Sequence, residues 1–426
     1  MTRWFYNLVL HLLLPFVILR LFWRGRKSPG YRENIGHRFG RQAGLPAGGL
    51  VVHAVSVGET LASQPLVNAL LQDYPELPLL VTNTTATGAE RSRALWGNRI
   101  AWCYLPYDYP WAVSAFLDHV RPRLFVVMET ELWPNLMAEL QRRHIPVLLA
   151  NARLSERSAR GYAKVAGLTK PMLQALTALA AQDAGTAQRF ASLGMPQDKI
   201  TVTGSLKFDL ALPPELEQRA TALKAEWQLS GRPVWVAAST HEGEEAAVLE
   251  IFRRLQARFP NLLLVLVPRH PERFDRIADL LQKQGWRYVR RSLQQPVALD
   301  TQVFLGDSMG ELLQWLALAD VAFVGGSLVD VGGHNPLEPA ALSVPVVTGP
   351  VMFNFQQITD ILITAGALVQ AADTDRIETC LSQWLLHPEQ AKQAGAAGAA
   401  VVAANRGALS RHMALVSRLL SESEAA

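Results

Sequence analysis

Short apolar runs separated by helix-length amphipathic stretches occur twice in succession along this chain, and that alternation leaves few folds open. Runs 50–55, 77–81, 124–128, 147–150 and 200–203 read as strands buried on both faces, with helices predicted over 60–72, 86–96, 110–118 and 134–143. Buried strands joined through helices make right-handed crossovers, so the sheet is parallel. Leu212-Pro213-Pro214 interrupts the pattern as a hinge would. It restarts at 234–238, 262–267, 303–305, 321–324 and 344–347, then ends in an alanine-rich helical stretch over 373–421. At 426 residues the chain also exceeds the roughly 250–300 at which a single core stops growing. The expected architecture is α/β, two doubly wound Rossmann-like domains facing a central cleft.

Residues 4–19 are apolar except for Asn7, His11 and Pro15, and a basic cluster follows at Arg20, Arg24, Arg26, Lys27, Arg32, Arg38 and Arg41. The stretch is slightly short of the ~20 residues of a spanning helix, and Leu21, Phe22 and Trp23 extend it if Arg20 snorkels. No small-residue cleavage site follows, so a removed signal peptide is not expected. The basic flank places the rest of the chain on the cytoplasmic side. A spanning helix and one lying in the interface, with Trp4 and Trp23 at headgroup level, both fit. The expected divisions are a membrane anchor over 1–27, a first domain over 28–211 and a second over 212–426 that includes the helical tail.

With 49% hydrophobic and 18% charged residues, the chain is too apolar to be a disordered adaptor. Cys103 and Cys380 stand alone, and the histidines show no ligand spacing, so neither a disulfide framework nor a metal site is expected. Basic residues are not interleaved with aromatics over a domain, which argues against nucleic acid as a partner. No G-x-G-x-x-G follows the first strand and no Walker loop occurs.

Candidate chemistry sits where open parallel sheets place it, just past strand ends. In Ser56-Val57-Gly58-Glu59, Glu59 can act as a general base at the start of a helix; its plainer role is to complement the helix dipole. Met128-Glu129-Thr130-Glu131 carries two carboxylates that would face the same way on an extended stretch and repel, unless one is paired or exposed. Lys207 in Gly204-Ser205-Leu206-Lys207-Phe208-Asp209 can neutralise an anionic substrate, or simply pair with Asp209. Pro268-Arg269-His270-Pro271-Glu272-Arg273 reads as an anion clamp. Met309-Gly310-Glu311 opens a helix whose amides can hold a ligand group. The glycine pairs 325–326 and 332–333 would let backbone approach an anion, and Asn335-Pro336-Leu337-Glu338 starts another helix, with Glu338 placed to accept from ribose hydroxyls.

Taken together, SVGET, METELWPN, NARLS, GSLKFD, STHEGEE, PRHPERF, GDSMGE and GGSLV…GGHNPLE, in this order, resemble the 3-deoxy-D-manno-octulosonic acid (Kdo) transferases of lipopolysaccharide inner-core assembly. The resemblance implies a GT-B glycosyltransferase that inverts configuration, uses no metal or cofactor, takes CMP-Kdo as donor and lipid IVA as acceptor, and works at the inner membrane among its lipids. It implies Glu59 as proton acceptor, Glu129 and Lys207 as transition-state supports, and CMP held by Pro268, Arg269, Met309, Gly310, Glu311, Asn335, Pro336, Leu337 and Glu338. The rival readings are a UDP-sugar 2-epimerase of similar fold and a non-catalytic CMP-sugar scaffold. No protein partner is specified.

Overall fold

The computed structural model describes residues 2–27, 29–42, 44–210 and 212–425. The boundaries expected at residues 1, 28, 211 and 426 therefore fall outside the described residues. The chain forms two compact units, Met1–Asp209 with Asn405–Ala426, and Leu210–Ala404.

The first unit is built on seven parallel strands: β1 (Leu50–His53), β2 (Leu79–Asn83), β3 (Ala101–Tyr104), β4 (Leu124–Met128), β5 (Val147–Ala152), β6 (Ala178–Ala181) and β7 (Ile200–Val202), in the order β3-β2-β1-β4-β5-β6-β7. Both faces are covered. Val51, Leu80, Phe125, Val127 and Leu149 enter one core, while their neighbours Val52, Val81, Val126, Met128 and Leu148 enter the other. That division is the period-two geometry of a strand buried on both sides. Sequence reading omitted β3 and β6. In Ala178-Leu179-Ala180-Ala181 the local preference is helical, and burial within the sheet overrides it.

The alanine-rich stretch stays with the second unit as far as Ala404, but the end of the chain, from Asn405, belongs to the first. The final helix, Ala408–Ala425, buries Ala408, Leu415, Val416, Leu419 and Leu420 in the core beneath β4 and β5 of the first unit. The spacing of those residues is a helical stripe, which shows that a partner exists and not which one.

The second unit holds β8 (Val234–Thr240), β9 (Leu263–Pro268), β10 (Tyr288–Arg290), β11 (Val303–Leu305), β12 (Val321–Val324), β13 (Val346–Thr348) and β14 (Leu368–Gln370), parallel and ordered β10-β11-β9-β8-β12-β13-β14. The short edge strands β10 and β14 were not anticipated.

The helix α1 (Arg3–Lys27) is long and apolar enough to cross a membrane. Its polar residues have partners on the first unit. Tyr6 donates to Asp108 at 3.0 Å, the amide of Asn135 donates to Asn7 Oδ1 at 2.6 Å, and Tyr109 donates to the Leu10 carbonyl at 3.1 Å. Trp4, Leu12, Phe16, Leu19 and Trp23 remain exposed.

Candidate active site

In each sheet the chain reverses direction between its first strand and the fourth or fifth, which leaves a crevice at the carboxyl ends there. In the first unit this point lies between β1 and β4, and the segments leaving these strands carry Glu59 and Glu129. Ser56 caps the helix Val57–Asp73, its Oγ accepting from the Glu59 amide at 3.4 Å, while the Glu59 carboxylate accepts from the Val55 amide at 2.9 Å. The helix-start role read from the sequence is thus present. Burial pushes Glu59 up to about 8; the Val55 hydrogen bond opposes this, and Glu129 and Glu131 add to it.

Glu129 corrects the expectation of an extended strand end. Its φ is +58°, a left-handed conformation that costs a non-glycine residue energy, so 129 and 131 are not paired on one face of a strand. Glu129 meets Arg153 at 3.4 Å, and Glu131 is raised by burial and by Glu129. Tyr162, whose hydroxyl donates to the Thr130 carbonyl at 3.1 Å, is also raised by burial and by Glu131. Lys207 joins this group. Burial lowers its pKa, Glu129 works against that, and Arg153 works with it. Its alternative partner is engaged elsewhere, since Asp209 accepts from the Gly407 amide at 2.6 Å and from the Leu409 amide. Glu59, Glu129 and Lys207 are therefore electrostatically coupled within one unit.

In the helix that carries Glu59, Ala62 and Leu66 are buried, Leu66 in the core beneath the sheet, and Leu61 is exposed beside them.

In the second unit Pro268 closes β9 and Arg269 follows it, its amide donating to the Thr240 carbonyl at 3.0 Å. The rest of the predicted clamp is structural: Arg273 forms a bidentate pair with Glu245 at 2.8 and 2.7 Å. Arg269 has no carboxylate within salt-bridge reach among the described residues, and its charge acts on His334 and Glu338. Glu338 is raised by burial, with an Asn335 hydrogen bond opposing. Past β11, Met309 is exposed and Gly310 has φ +84°, while Glu311 is held by Arg291 at 2.7 and 2.9 Å. The helices Leu312–Leu316 and Leu337–Ala341 have five residues each, too short for the dipole argument made from the sequence.

The glycine turn after β12 is not an open anion cradle. Glu244 fills it: one carboxylate oxygen accepts from Gly326 at 2.7 Å and His241 at 2.8 Å, the other from Ser327 at 3.0 Å and Leu328 at 2.9 Å. A Cβ on Gly325 would lie 2.9 Å from that carboxylate and 2.7 Å from the Ser239 carbonyl, so the glycine serves close packing. His241 and His334 meet Nε2 to Nε2 at 2.7 Å, a hydrogen bond that leaves no room for an ion between them. Among the described residues no three His, Cys, Asp or Glu side chains are grouped to hold a metal.

The profile of a family described as 3-Deoxy-D-manno-octulosonic-acid transferase (kdotransferase) matches residues 33–210. The 3-deoxy-D-manno-octulosonic acid transferase of Haemophilus influenzae is 44% identical over 98% of this chain and 98% of its own length. The chain belongs to the Kdo transferase family. It is therefore a glycosyltransferase. The C-terminal CMP-Kdo binding domain of WaaA from Acinetobacter baumannii is 42% identical over 44% of this chain and 97% of its own, with a TM-score of 0.42. The UDP-GlcNAc 2-epimerase of Neisseria meningitidis shares only the GT-B-like fold, at 16% identity and a TM-score of 0.52 over 81% of this chain and 93% of its own.

Within this Kdo transferase, sequence reasoning passed over Arg153, Tyr162, Asn151, Arg291 and Glu244 as contributors. Asn151 and Arg153 stand in the NARLS motif and Glu244 in STHEGEE, and Arg153 was legible as a basic residue past a strand. The roles of the others come from contacts far apart in sequence.

Proposed function

We propose that the protein transfers Kdo from CMP-Kdo to lipid IVA with inversion and without a metal, Glu59 acting as general base. The observation that carries this reading is Glu59 itself: a carboxyl raised to about 8 by burial, at the sheet's switch point, acted on by Glu129, which also acts on Lys207, in a Kdo transferase. A base poised near neutrality both accepts and releases a proton readily. As the acceptor hydroxyl oxygen bonds to the ketosidic carbon, its proton passes to Glu59, and the bond from that carbon to the CMP phosphate oxygen breaks with its electron pair on the phosphate. Lys207 offsets negative charge on the donor's carboxylate or departing phosphate, and Glu129, tied to Arg153, holds Lys207 charged and in place. Arg269, with no carboxylate in salt-bridge reach among the described residues, offers phosphate a guanidinium, Glu338 and Asn335 meet the ribose, and Met309-Gly310-Glu311 borders the base. CMP has a single phosphate, so no ion is needed to bridge a diphosphate.

We place the protein at the cytoplasmic face of the inner membrane. The polar contacts of Tyr6, Asn7 and Leu10 with the first unit support a helix α1 lying in the interface with its apolar face in lipid, close to an acylated acceptor.

The test is mass spectrometry of lipid IVA after incubation with the purified protein and CMP-Kdo, the donor made from CTP and Kdo by a synthetase before EDTA is added. A gain of one or more Kdo units is expected, and none with Glu59→Gln. Undiminished transfer by that variant would remove Glu59 as base; no gain with the unaltered enzyme would remove this acceptor.

A further inference from the structure

The segment carrying Lys207 is gripped by the carboxy-terminal helix. Arg411 Nε donates to the Thr203 carbonyl at 2.8 Å on one side, and Asp209 caps Gly407 and Leu409 on the other. Midway, the Leu206 amide donates to Asn151 Oδ1 at 3.1 Å. Asn151 is fully buried with φ +51°, at the point where the pairing of β5 with β6 shifts register. Asparagine tolerates that conformation better than most residues, but only if its freed backbone amide finds an acceptor. The acceptor is His412 Nε2, at 2.9 Å. The ring's other nitrogen, Nδ1, lies 2.7 Å from the Ala408 carbonyl. One nitrogen faces an N–H and the other a C=O, so Nδ1 carries the proton and Nε2 the lone pair. Burial pushes His412 down to about 4, which keeps that neutral form across the working pH range. A leucine would fill the same volume; what distinguishes histidine here is the acceptor.

We propose that His412 is a positioning residue for Lys207: by accepting the Asn151 amide it holds Asn151 in the left-handed turn from which its side chain fixes Leu206, and so sets where the neighbouring Lys207 ammonium stands. The proposal rests on the role given to Lys207 above. It brings the last helix of the chain into the chemistry of the first domain.

The test compares full-length His412→Leu, His412→Gln and His412→Asn with Lys207→Ala and the Lys207→Ala/His412→Leu double variant, by steady-state transfer kinetics and thermal unfolding. Glutamine places an oxygen where Nε2 stands; asparagine does not. His412→Leu and His412→Asn are expected to lose about ten- to a hundredfold in kcat, with donor KM within about twofold, while His412→Gln stays near the unaltered enzyme. In the Lys207→Ala background His412→Leu should cost nothing further. If His412→Leu unfolds, the contrast between Gln and Asn decides. The proposal is overturned if Leu or Asn keeps full kcat, if folded Gln fails as Asn does, or if His412→Leu multiplies the loss in the double variant. Wild-type kcat in Lys207→Ala would instead overturn the role of Lys207 itself, and this proposal with it.

Discussion

Glu59→Gln should make the protein inactive and, at alkaline pH, more stable. The carboxyl rises from 4.5 to about 8 on folding, chiefly through burial. A carboxyl raised in the folded state resists ionisation there, so its destabilising effect is absent below about pH 4.5, grows as pH rises and is complete above about pH 8. At one pKa unit per 1.36 kcal/mol the ceiling is about 5 kcal/mol, and partial access to solvent brings the expected value to about 2 kcal/mol. The substituted glutamine keeps an oxygen for the Val55 amide and carries no charge. In a domain of this size the gain corresponds to roughly 4–8 °C in unfolding temperature at pH 8.5, and to none at pH 4.5. As the proposed base, the same carboxyl should set the acid limb of activity in the unaltered enzyme. With a pKa near 8 it is about 1% ionised at pH 6 and half ionised at pH 8, so kcat/KM for lipid IVA should rise about fiftyfold over that interval. Differential scanning fluorimetry of both proteins from pH 4.5 to 9, with transfer rates over the same range, reads both effects. A Gln variant no more stable at pH 8.5 than the parent, or activity already flat at pH 6, would refute the claim that burial holds Glu59 near neutrality.

Other outcomes follow from the second unit and from the donor. Glu244→Ala leaves four backbone amides without their acceptor and should destabilise that unit by about 3 kcal/mol or more, read as a lower unfolding temperature and lost CMP-Kdo binding by calorimetry. Arg291→Met frees Glu311 from its bidentate pair, and donor KM should rise about three- to tenfold with kcat little changed in steady-state kinetics. EDTA added after the donor has formed should leave the initial transfer rate unchanged, as measured by mass spectrometry.

The fold was legible where burial leaves a uniform apolar signature. Strands β1, β4, β9 and β12 are such runs, whereas β6 is three parts alanine and β10 is half exposed tyrosine and arginine, so neither announces itself. The first-unit residues Glu59, Glu129 and Lys207 stood out because each is a charge just past a strand, the position where parallel sheets gather polar groups. The turn at 325–328 misled for a related reason: bare amides and glycines look the same whether they await a phosphate or already hold a glutamate from 82 residues earlier in the chain. His412 carried no signal at all. Its neighbours in sequence describe an ordinary helix, and its partner lies 261 residues away.

The position of that last helix also sets an order of events during synthesis. A nascent first domain leaves the ribosome with one layer of its sheet only partly covered, by Leu66, Val67, Leu70 and Trp96, and the residues that complete the cover are translated only after Leu210–Ala404. At about 5–20 residues per second this interval is roughly 10–40 seconds. Throughout it the apolar α1 has already emerged and is free to seek lipid, while Lys207 sits on a loop with no clamp. With α1 placed at the membrane as proposed above, capture by lipid would precede catalytic competence, and a chain released early would reach the bilayer without acquiring the means to modify it.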